Sequence, residues 1–144
     1  MSLTLAQSET IIAAALAHAK SANFKPLGIV VLDARGTVKA ASIADGSSLA
    51  RFDIAAAKAR GCLMFNMGSR GIEKLAKDRP HFFAGAVSAI DGGIVPVAGG
   101  VLIKDTGGTI LGAVGVSGDT SDNDELAALA GLTAAGLIGD GGQG

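Results

Sequence analysis

GAVGVSGDTSDNDE, residues 112–125, passes from an apolar run with regularly spaced glycines into a polar segment. The polar part carries four acids within seven positions, from Asp119 to Glu125. A nucleotide-binding phosphate loop needs a lysine directly after its last glycine, and no lysine follows Gly118. The acids would also repel a phosphate group. The stretch is therefore not a phosphate site.

A calcium loop of the EF-hand type is also excluded. Such a loop has Gly at its sixth position and Glu at its twelfth, and counted from Asp119 these are Asp124 and Ala130. The remaining interpretation is a joint between a strand and the last helix, in which Asp122 caps the helix and Glu125 occupies its third position. Because one cap does not need four acids, Asp119, Asp122 and Asp124 are also candidate ligand-binding residues.

Outward from this joint, apolar residues at helical spacing predict three main helices. Thr4 and Gln7 form a capping-box pattern at the start of the first helix, and Gly68 stops the second. The segment SRGIEKLAKDRP predicts a further short amphipathic helix that ends before Pro80. The three main helices are predicted over residues 5–21, 48–67 and 122–137.

Apolar stripes predict which faces of the later helices are buried. The stripe of the second helix consists of Leu49, Phe52, Ala56, Ala59, Leu63 and Met67. The stripe of the last helix consists of Leu126, Ala130, Thr133 and Leu137.

Runs rich in β-branched residues predict the strands. LGIVVLD (27–33) and VKAASI (38–43) flank a turn and form a hairpin, and both faces of the first strand are apolar. Three short segments, GGIVPVAGG, VLIKDTGGT and ILGAVGVS, predict further strands between residues 92 and 117, with DTGG as a second hairpin turn. Hairpins favour an α/β (α+β) fold in which helices flank an antiparallel sheet. We predict a single domain over residues 4–138 and a flexible tail over 139–144.

Composition limits the classes of partner. The chain has 144 residues, of which 49% are apolar and 17% charged, and a net charge of −1. A packed domain is expected, and no basic surface suggests nucleic acid or an anionic membrane as a partner. No run approaches the roughly 20 apolar residues of a membrane helix, and the N-terminus lacks the pattern of a signal peptide. With Cys62 as the one cysteine, these features predict a cytoplasmic protein.

The composition also favours self-association. The chain contains 22 glycines and five phenylalanines but no Tyr or Trp, so its core has few large side chains. Small residues contribute little buried apolar area each. Burial against further copies of the chain would offset this, which predicts a homo-oligomer.

Two histidine-containing stretches are candidate sites. His18 lies on the flank of the first helix beside its apolar face, where it is either half-buried or an axial ligand for haem iron. In DRPHFF, which we interpret as a loop, Arg79, His81 and Phe82 combine a cation, a titratable group and an aromatic ring. These three suit an anionic, partly apolar ligand, although Arg79 pairing with Asp78 is the structural alternative. Cys62 is predicted to be a small buried residue.

No catalytic pattern is recognisable. The sequence has no spacing typical of a zinc site, no paired-carboxylate signature and no nucleophile with an identifiable base. We therefore predict no metal site and assign no catalytic residues.

Three stretches together resemble the GlcG/HbpS-like family, also called the haem-degrading domain family. They are VVLDARGTVKAASIADGSSLARFDIAAAKARG, RPHF and VPVAGGVLIKDTGGTILGAVGVSGDTSDNDELAALAG, and the resemblance spans residues 4–138. The family includes the C-terminal domain of PduO-like proteins. The resemblance implies a profilin-like fold, homo-oligomers and, in some members, haem bound through a histidine of the first helix, which His18 matches. The chain departs from the family pattern at IADGSS, where many members have Arg-Met-Asp-Gly-Ala.

Three functional hypotheses remain open. The first is a cytoplasmic, homo-oligomeric protein that binds haem or a related anionic small ligand, with His18 as the axial ligand. The second is an enzyme or accessory protein that acts on a small carboxylate of the glycolate or propanediol pathways and uses Arg79, His81 and the loop after Gly118. The third is a structural or regulatory subunit without a ligand.

Overall fold

Five strands form one antiparallel sheet in the order β2-β1-β4-β3-β5. The computed structural model describes residues 2–143. The strands are β1 (Gly28–Asp33), β2 (Val38–Ile43), β3 (Gly100–Lys104), β4 (Ile110–Ser117) and β5 (Ile138–Asp140). The antiparallel sheet predicted from the hairpins is thus confirmed.

Helices cover both faces of this sheet. They are α1 (Leu5–Ser21), α2 (Arg51–Phe65), α3 (Ser69–Asp78), α4 (Pro80–Ala89) and α5 (Ser121–Ala134). One core lies between the sheet and helices α1 and α5, and includes Ile29 and Val31 of β1. The other lies under α2 and includes Val30 and Leu32 of the same strand. Because alternate residues of β1 face opposite cores, its run of apolar residues is buried throughout, as predicted.

Aspartate side chains fix the two hairpin turns. Asp33 Oδ1 accepts hydrogen bonds from the backbone N–H groups of Arg35 and Thr37, and Asp105 Oδ1 accepts equivalent bonds in the second turn. Gly36 and Gly108 have φ values of +83° and +86°, a backbone region that favours glycine. Both turns therefore form where the sequence predicts them.

The first helix agrees with its prediction and the second differs at its start. Thr4 and Gln7 form the capping box at the start of α1. In contrast, Leu49 precedes α2 and is 99% exposed, and Phe52 is 39% exposed. The reason is that α2 contacts the sheet through small residues: a side chain on Gly115 of β4 would overlap the carbonyl oxygen of Ala55. The predicted stripe is thus wrong at its N-terminal end.

The last helix also buries a different face from the predicted one. Leu126 is 50% exposed and Thr133 is exposed, whereas Asp124, Glu125 and Leu132 are buried. The prediction followed the apolar stripe, and a buried carboxylate without a partner is costly. In the structure both buried carboxylates pair with cations of other helices, so their burial is compensated.

Three segments have a different secondary structure from the predicted one. DRPHFF is not a loop: Pro80 is the first residue of α4, a position where its missing N–H leaves no hydrogen bond unmade. Residues 92–99 form no strand, and β3 begins at Gly100. Part of the segment predicted as a flexible tail is instead paired to the sheet, because β5, which ends at Asp140, hydrogen-bonds to β3.

Candidate functional site

The joint between β4 and α5 is capped by a threonine. Thr120 is the N-cap of α5, and its hydroxyl oxygen accepts a hydrogen bond from the backbone N–H of Asn123 at 3.2 Å. The prediction that Asp122 caps this helix is therefore wrong by two residues. Thr120 takes this role because its backbone is extended at φ −65° and ψ 155° and its short side chain reaches back to the first turn.

Asp119 fastens the loop between α1 and β1 to this joint. Its carboxylate accepts hydrogen bonds from the backbone N–H of Lys25 at 2.7 Å, the backbone N–H of Thr120 at 2.8 Å and the side-chain amide of Asn123 at 2.8 Å. These donors stabilise the ionised form, so they lower the pKa of Asp119. The carboxylate thus holds two segments that are distant in sequence.

Asp124 forms a buried ion pair with Lys58 of α2. Lys58 Nζ lies 3.0 Å from Asp124 Oδ2 and also donates to the carbonyl oxygen of Val116 at 2.9 Å. The backbone N–H of Asp119 donates to the other carboxylate oxygen at 3.0 Å. Burial lowers the pKa of Lys58 and raises the pKa of Asp124, while the attraction between the two charges opposes both shifts. Every polar atom of the Asp124 carboxylate therefore has a partner.

Arg70 of α3 pairs with the other two acids. Its Nη2 lies 2.6 Å from Asp122 Oδ1, and its Nε lies 3.2 Å from Glu125 Oε2. Gln143 donates a further hydrogen bond to Glu125 at 2.8 Å. The surplus of acids in this stretch is therefore explained by its partners, because each of the four carboxylates binds a group on another segment or on the joint itself, and Asp122 and Glu125 share Arg70.

His18 lies near the C-terminus of α1 and is partly buried. Its ring packs edge-on against Phe24, with 5.5 Å between ring centroids. Phe24 also lines a groove of about 190 Å³. The groove is lined by Leu16, Ala19, Lys20, Phe24, Lys25, Pro26, Leu27, Ala44 and Asp45. The imidazole of His18 thus contacts one of the side chains that line a groove carrying two lysines and one aspartate.

Arg79, His81 and Phe82 lie at the start of α4. The Arg79 guanidinium carbon is 4.6 Å from the centre of the Phe82 ring, which is 42% exposed. His81 is exposed, and Asp78 pairs with Lys74 instead of Arg79. The three predicted residues are therefore neighbours on one accessible surface.

The predicted site residues fall into two separate groups. Asp119 binds the loop that contains Phe24, and Phe24 contacts His18, so these residues lie at one end of the fold. Arg79 and its neighbours belong to α4, which packs against α3. Within residues 2–143 no hydrogen bond or ion pair joins the two groups.

Three cations that were not predicted from the sequence organise the corner where β4 ends. Lys58 and Arg70 bind the acids, and Arg51 binds the hydroxyl of Ser117 at the end of β4. One signal was present for Lys58: it stands among alanines on the buried side of a helix, where a charge needs a partner. No local signal identifies the partner, because Lys58 and Asp124 are 66 positions apart.

The part of the chain that the structure describes contains no cluster of three or more His, Cys, Asp or Glu side chains suited to a metal ion. No helix within residues 2–143 combines the length and the hydropathy needed to cross a bilayer.

Comparison with known proteins gives one family and several related structures. The family described as haem-degrading protein HbpS-like matches residues 3–133. A crystal structure of a PduOC:haem complex is similar at a TM-score of 0.85 and 20% identity, covering 96% of this chain and 98% of that one. Klebsiella pneumoniae protein ORFY matches at a TM-score of 0.82 and 26% identity, covering 92% and 90%. A double mutant of Streptomyces reticuli HbpS matches at 0.79 and 25%, covering 92% and 86%. No curated protein sequence matches significantly.

Proposed function

Because the chain belongs to the HbpS-like family of haem-degrading proteins, we propose that it binds haem or a related anionic small ligand, with His18 as an axial ligand of the iron. The observation that carries this proposal is the contact of His18 with Phe24, which also lines the groove that carries Lys20 and Lys25. A helix of 17 residues holds this imidazole in place, which suits an axial ligand.

The His18 ring has the free donor atoms that coordination requires. Within residues 2–143 neither ring nitrogen makes a hydrogen bond, and the ring packs against Phe24 at an interplanar angle of 70°. A neutral imidazole binds iron through one nitrogen. Phe24 therefore restricts the orientation of a ring whose nitrogens have no hydrogen-bond partner.

The adjoining groove matches the two kinds of surface on a haem. Leu16 and Pro26 offer apolar contacts to the porphyrin, and the ammonium groups of Lys20 and Lys25 suit its two propionates. The PduOC structure, which shares this fold, was solved as a complex with haem. That structure supports haem as the first ligand to test.

We further propose that the chain forms a homo-oligomer in the cytoplasm. Leu5 of α1 and Val38 and Ile43 of the edge strand β2 are between 46% and 52% exposed. A groove of about 490 Å³ between α1 and β2 is lined in part by Leu5. A second copy would cover these side chains and the unpaired edge of β2. The single, unpaired Cys62 supports a reducing compartment.

A second candidate function is the binding of a small carboxylate at α4, for an enzyme or an accessory protein. Arg79 and Phe82 present a cation over an exposed aromatic ring, and His81 is exposed beside them. This arrangement supports an anionic ligand with an apolar part.

The test is a titration with haemin, followed by the Soret absorption band. The chain has two histidines, so His81→Ala is a matched control for His18→Ala. We expect His18→Ala to shift the Soret band and weaken binding at least about tenfold, and His81→Ala to bind like the wild type. Equal spectra and affinities for wild type and His18→Ala would refute the ligand assignment. Absence of binding to the wild type would favour a structural subunit without haem.

A further inference from the structure

Arg51 is held in a fixed geometry by two serine hydroxyls. It is the first residue of α2, and its Nε donates to Ser48 Oγ at 2.9 Å. Its Nη1 donates to Ser117 Oγ, at the end of β4, at 2.7 Å. Gly28 of β1 permits this position, because a side chain there would lie 3.0 Å from Arg51 Cβ. The guanidinium is therefore oriented by three segments of the chain.

The charge of Arg51 is not neutralised by a carboxylate. Within residues 2–143 Arg51 forms no ion pair, whereas the guanidinium of Arg70 pairs with Asp122 and Glu125. Arg51 is partly buried, and its Nη2 makes no hydrogen bond in the same part of the chain. A guanidinium has five donor hydrogens, and the two serines use two of them. Donors thus remain for an anion, which would offset the cost of partly burying an unpaired charge.

The start of α2 adds further favourable groups. The helix has no side-chain cap at Ala50, and within residues 2–143 the backbone N–H groups of Phe52 and Asp53 have no acceptor. Free N–H groups and the helix dipole favour an anion at such a position. Lys58 lies two turns further along the helix but is already neutralised by Asp124. The Asp53 side chain, two positions from Arg51, points to a different side of the helix.

We propose that Arg51, Ser48 and Ser117 form a binding site for a small carboxylate. A planar guanidinium binds both oxygens of a carboxylate, and the Ser117 hydroxyl, whose oxygen accepts from Arg51, has its own hydrogen left to donate. A single uncompensated cation matches one negative charge. A phosphate dianion needs more cations than this site provides. The ligand class is therefore a monocarboxylate.

This site is distinct from the haem site proposed above. Arg51 belongs to α2, which covers one face of the sheet, and His18 belongs to α1, which covers the other. The residues that line the groove beside His18 do not include Arg51, Ser48 or Ser117. Carboxylate binding at Arg51 therefore succeeds or fails independently of haem binding at His18.

The experiment is an NMR titration of the full chain without haem. Sodium acetate, sodium phosphate and sodium chloride are added separately, and the Nε–H signal of Arg51 and the amide signals of residues 48–53 and 117 are followed. We expect saturable shifts with acetate and only weak, unsaturated shifts with chloride. Saturation by phosphate at lower concentration than acetate would overturn the carboxylate assignment, and absence of saturable shifts with acetate would overturn the site.

Two variants and a control show whether Arg51 carries the binding. Arg51→Gln is expected to weaken acetate binding at least about tenfold, and Ser117→Ala is expected to weaken it less, because the guanidinium remains. Arg35→Gln is the control, since Arg35 lies exposed in the first hairpin turn. Equal acetate affinity in wild type and Arg51→Gln would refute the proposal, as would an equal loss in Arg35→Gln. If Arg51→Gln does not fold, the acetate affinity of Ser117→Ala still tests the site.

Discussion

Lys58 and Asp124 join the two helical layers across the end of the sheet. Their side chains are 3% and 2% exposed, and 3.0 Å separates Nζ from Oδ2. Lys58 comes from α2 on one face and Asp124 from α5 on the other, and the Lys58 ammonium also binds the last part of β4 through Val116. A side chain on Gly99 would lie 2.7 Å from Nζ, so this glycine leaves space for the ammonium group.

The first prediction concerns the stability of this pair. We expect Lys58→Met and Asp124→Leu each to lower the free energy of unfolding by about 3–5 kcal/mol, because each leaves a buried charge without its partner. The double variant is expected to lose less than the sum, since it leaves neither charge. Urea unfolding of the wild type, the two single variants and the double variant measures this double-mutant cycle. Lys74→Met, which removes an exposed pair with Asp78, is the control and is expected to cost less than about 0.5 kcal/mol. Additive losses in the cycle would contradict the coupling.

The sequence predicted those elements whose signals are local. The capping box of Thr4 and Gln7 lies within one helical turn, and the Asp33 turn lies within five residues. Such signals do not depend on the rest of the fold, so α1 and both hairpins appear where they were predicted. The hairpins also predicted helices that flank an antiparallel sheet, and the family resemblance implied the same arrangement.

The candidate site depended on contacts that a local pattern does not contain. Asp122 looked like a cap because capping energies favour aspartate there, but Thr120 caps the helix and Arg70 attracts Asp122 from 52 positions away. Leu126 was predicted to be buried because it lies on one stripe with Ala130 and Leu137. Because Asp124 pairs with the distant cation Lys58, the side of α5 that carries Asp124 is buried and the side that carries Leu126 is exposed. Which side of an amphipathic helix is buried thus depended on partners elsewhere in the chain.

The second prediction concerns acid stability and Asp119. Hydrogen bonds to its carboxylate lower its pKa in the folded state below the ordinary value of 3.8. Its contribution to stability is therefore fully present above that value and is lost as the pH falls through the folded pKa. We expect Asp119→Asn to be less stable at neutral pH and to lose less stability than the wild type on acidification.

Unfolding by urea at a series of pH values between neutral and about 2.5 tests this expectation. Asp53→Asn is the matched control, because Asp53 is exposed and makes no side-chain hydrogen bond or ion pair within residues 2–143. The control is expected to follow the wild-type curve. Parallel curves for wild type and Asp119→Asn would show that the bonds from Lys25 and Asn123 do not stabilise the charged carboxylate.

The third prediction concerns the close packing of α2 on β4. A Cβ atom on Gly115 would lie 1.8 Å from the carbonyl oxygen of Ala55, so the helix must move away from the sheet in Gly115→Ala. We expect a loss of about 3 kcal/mol or more. The control is Gly85→Ala in α4, where no atom lies within 4 Å of the added methyl group.

Gly85→Ala is expected to raise stability by about 0.5–1 kcal/mol, because alanine favours a helix and glycine does not. Thermal unfolding of the two variants and the wild type compares Gly115, which the close packing requires, with Gly85, which it does not. If Gly115→Ala melted at the wild-type temperature, the distance between α2 and β4 would have to be larger than the structure shows.

The fourth prediction concerns the reactivity of Cys62. Its side chain is fully buried, its thiol donates to the carbonyl oxygen of Lys58 at 3.3 Å, and burial raises its pKa to about 12. Since the thiolate is the reactive form, the folded protein should react with a thiol reagent at pH 8 only through opening of the structure. We expect fast labelling in 6 M urea and labelling at least about a hundredfold slower without it. Lys58→Met, which loosens the same helix, should accelerate labelling without urea. Rapid labelling of the wild type under native conditions would contradict the burial of this thiol between α2 and β3.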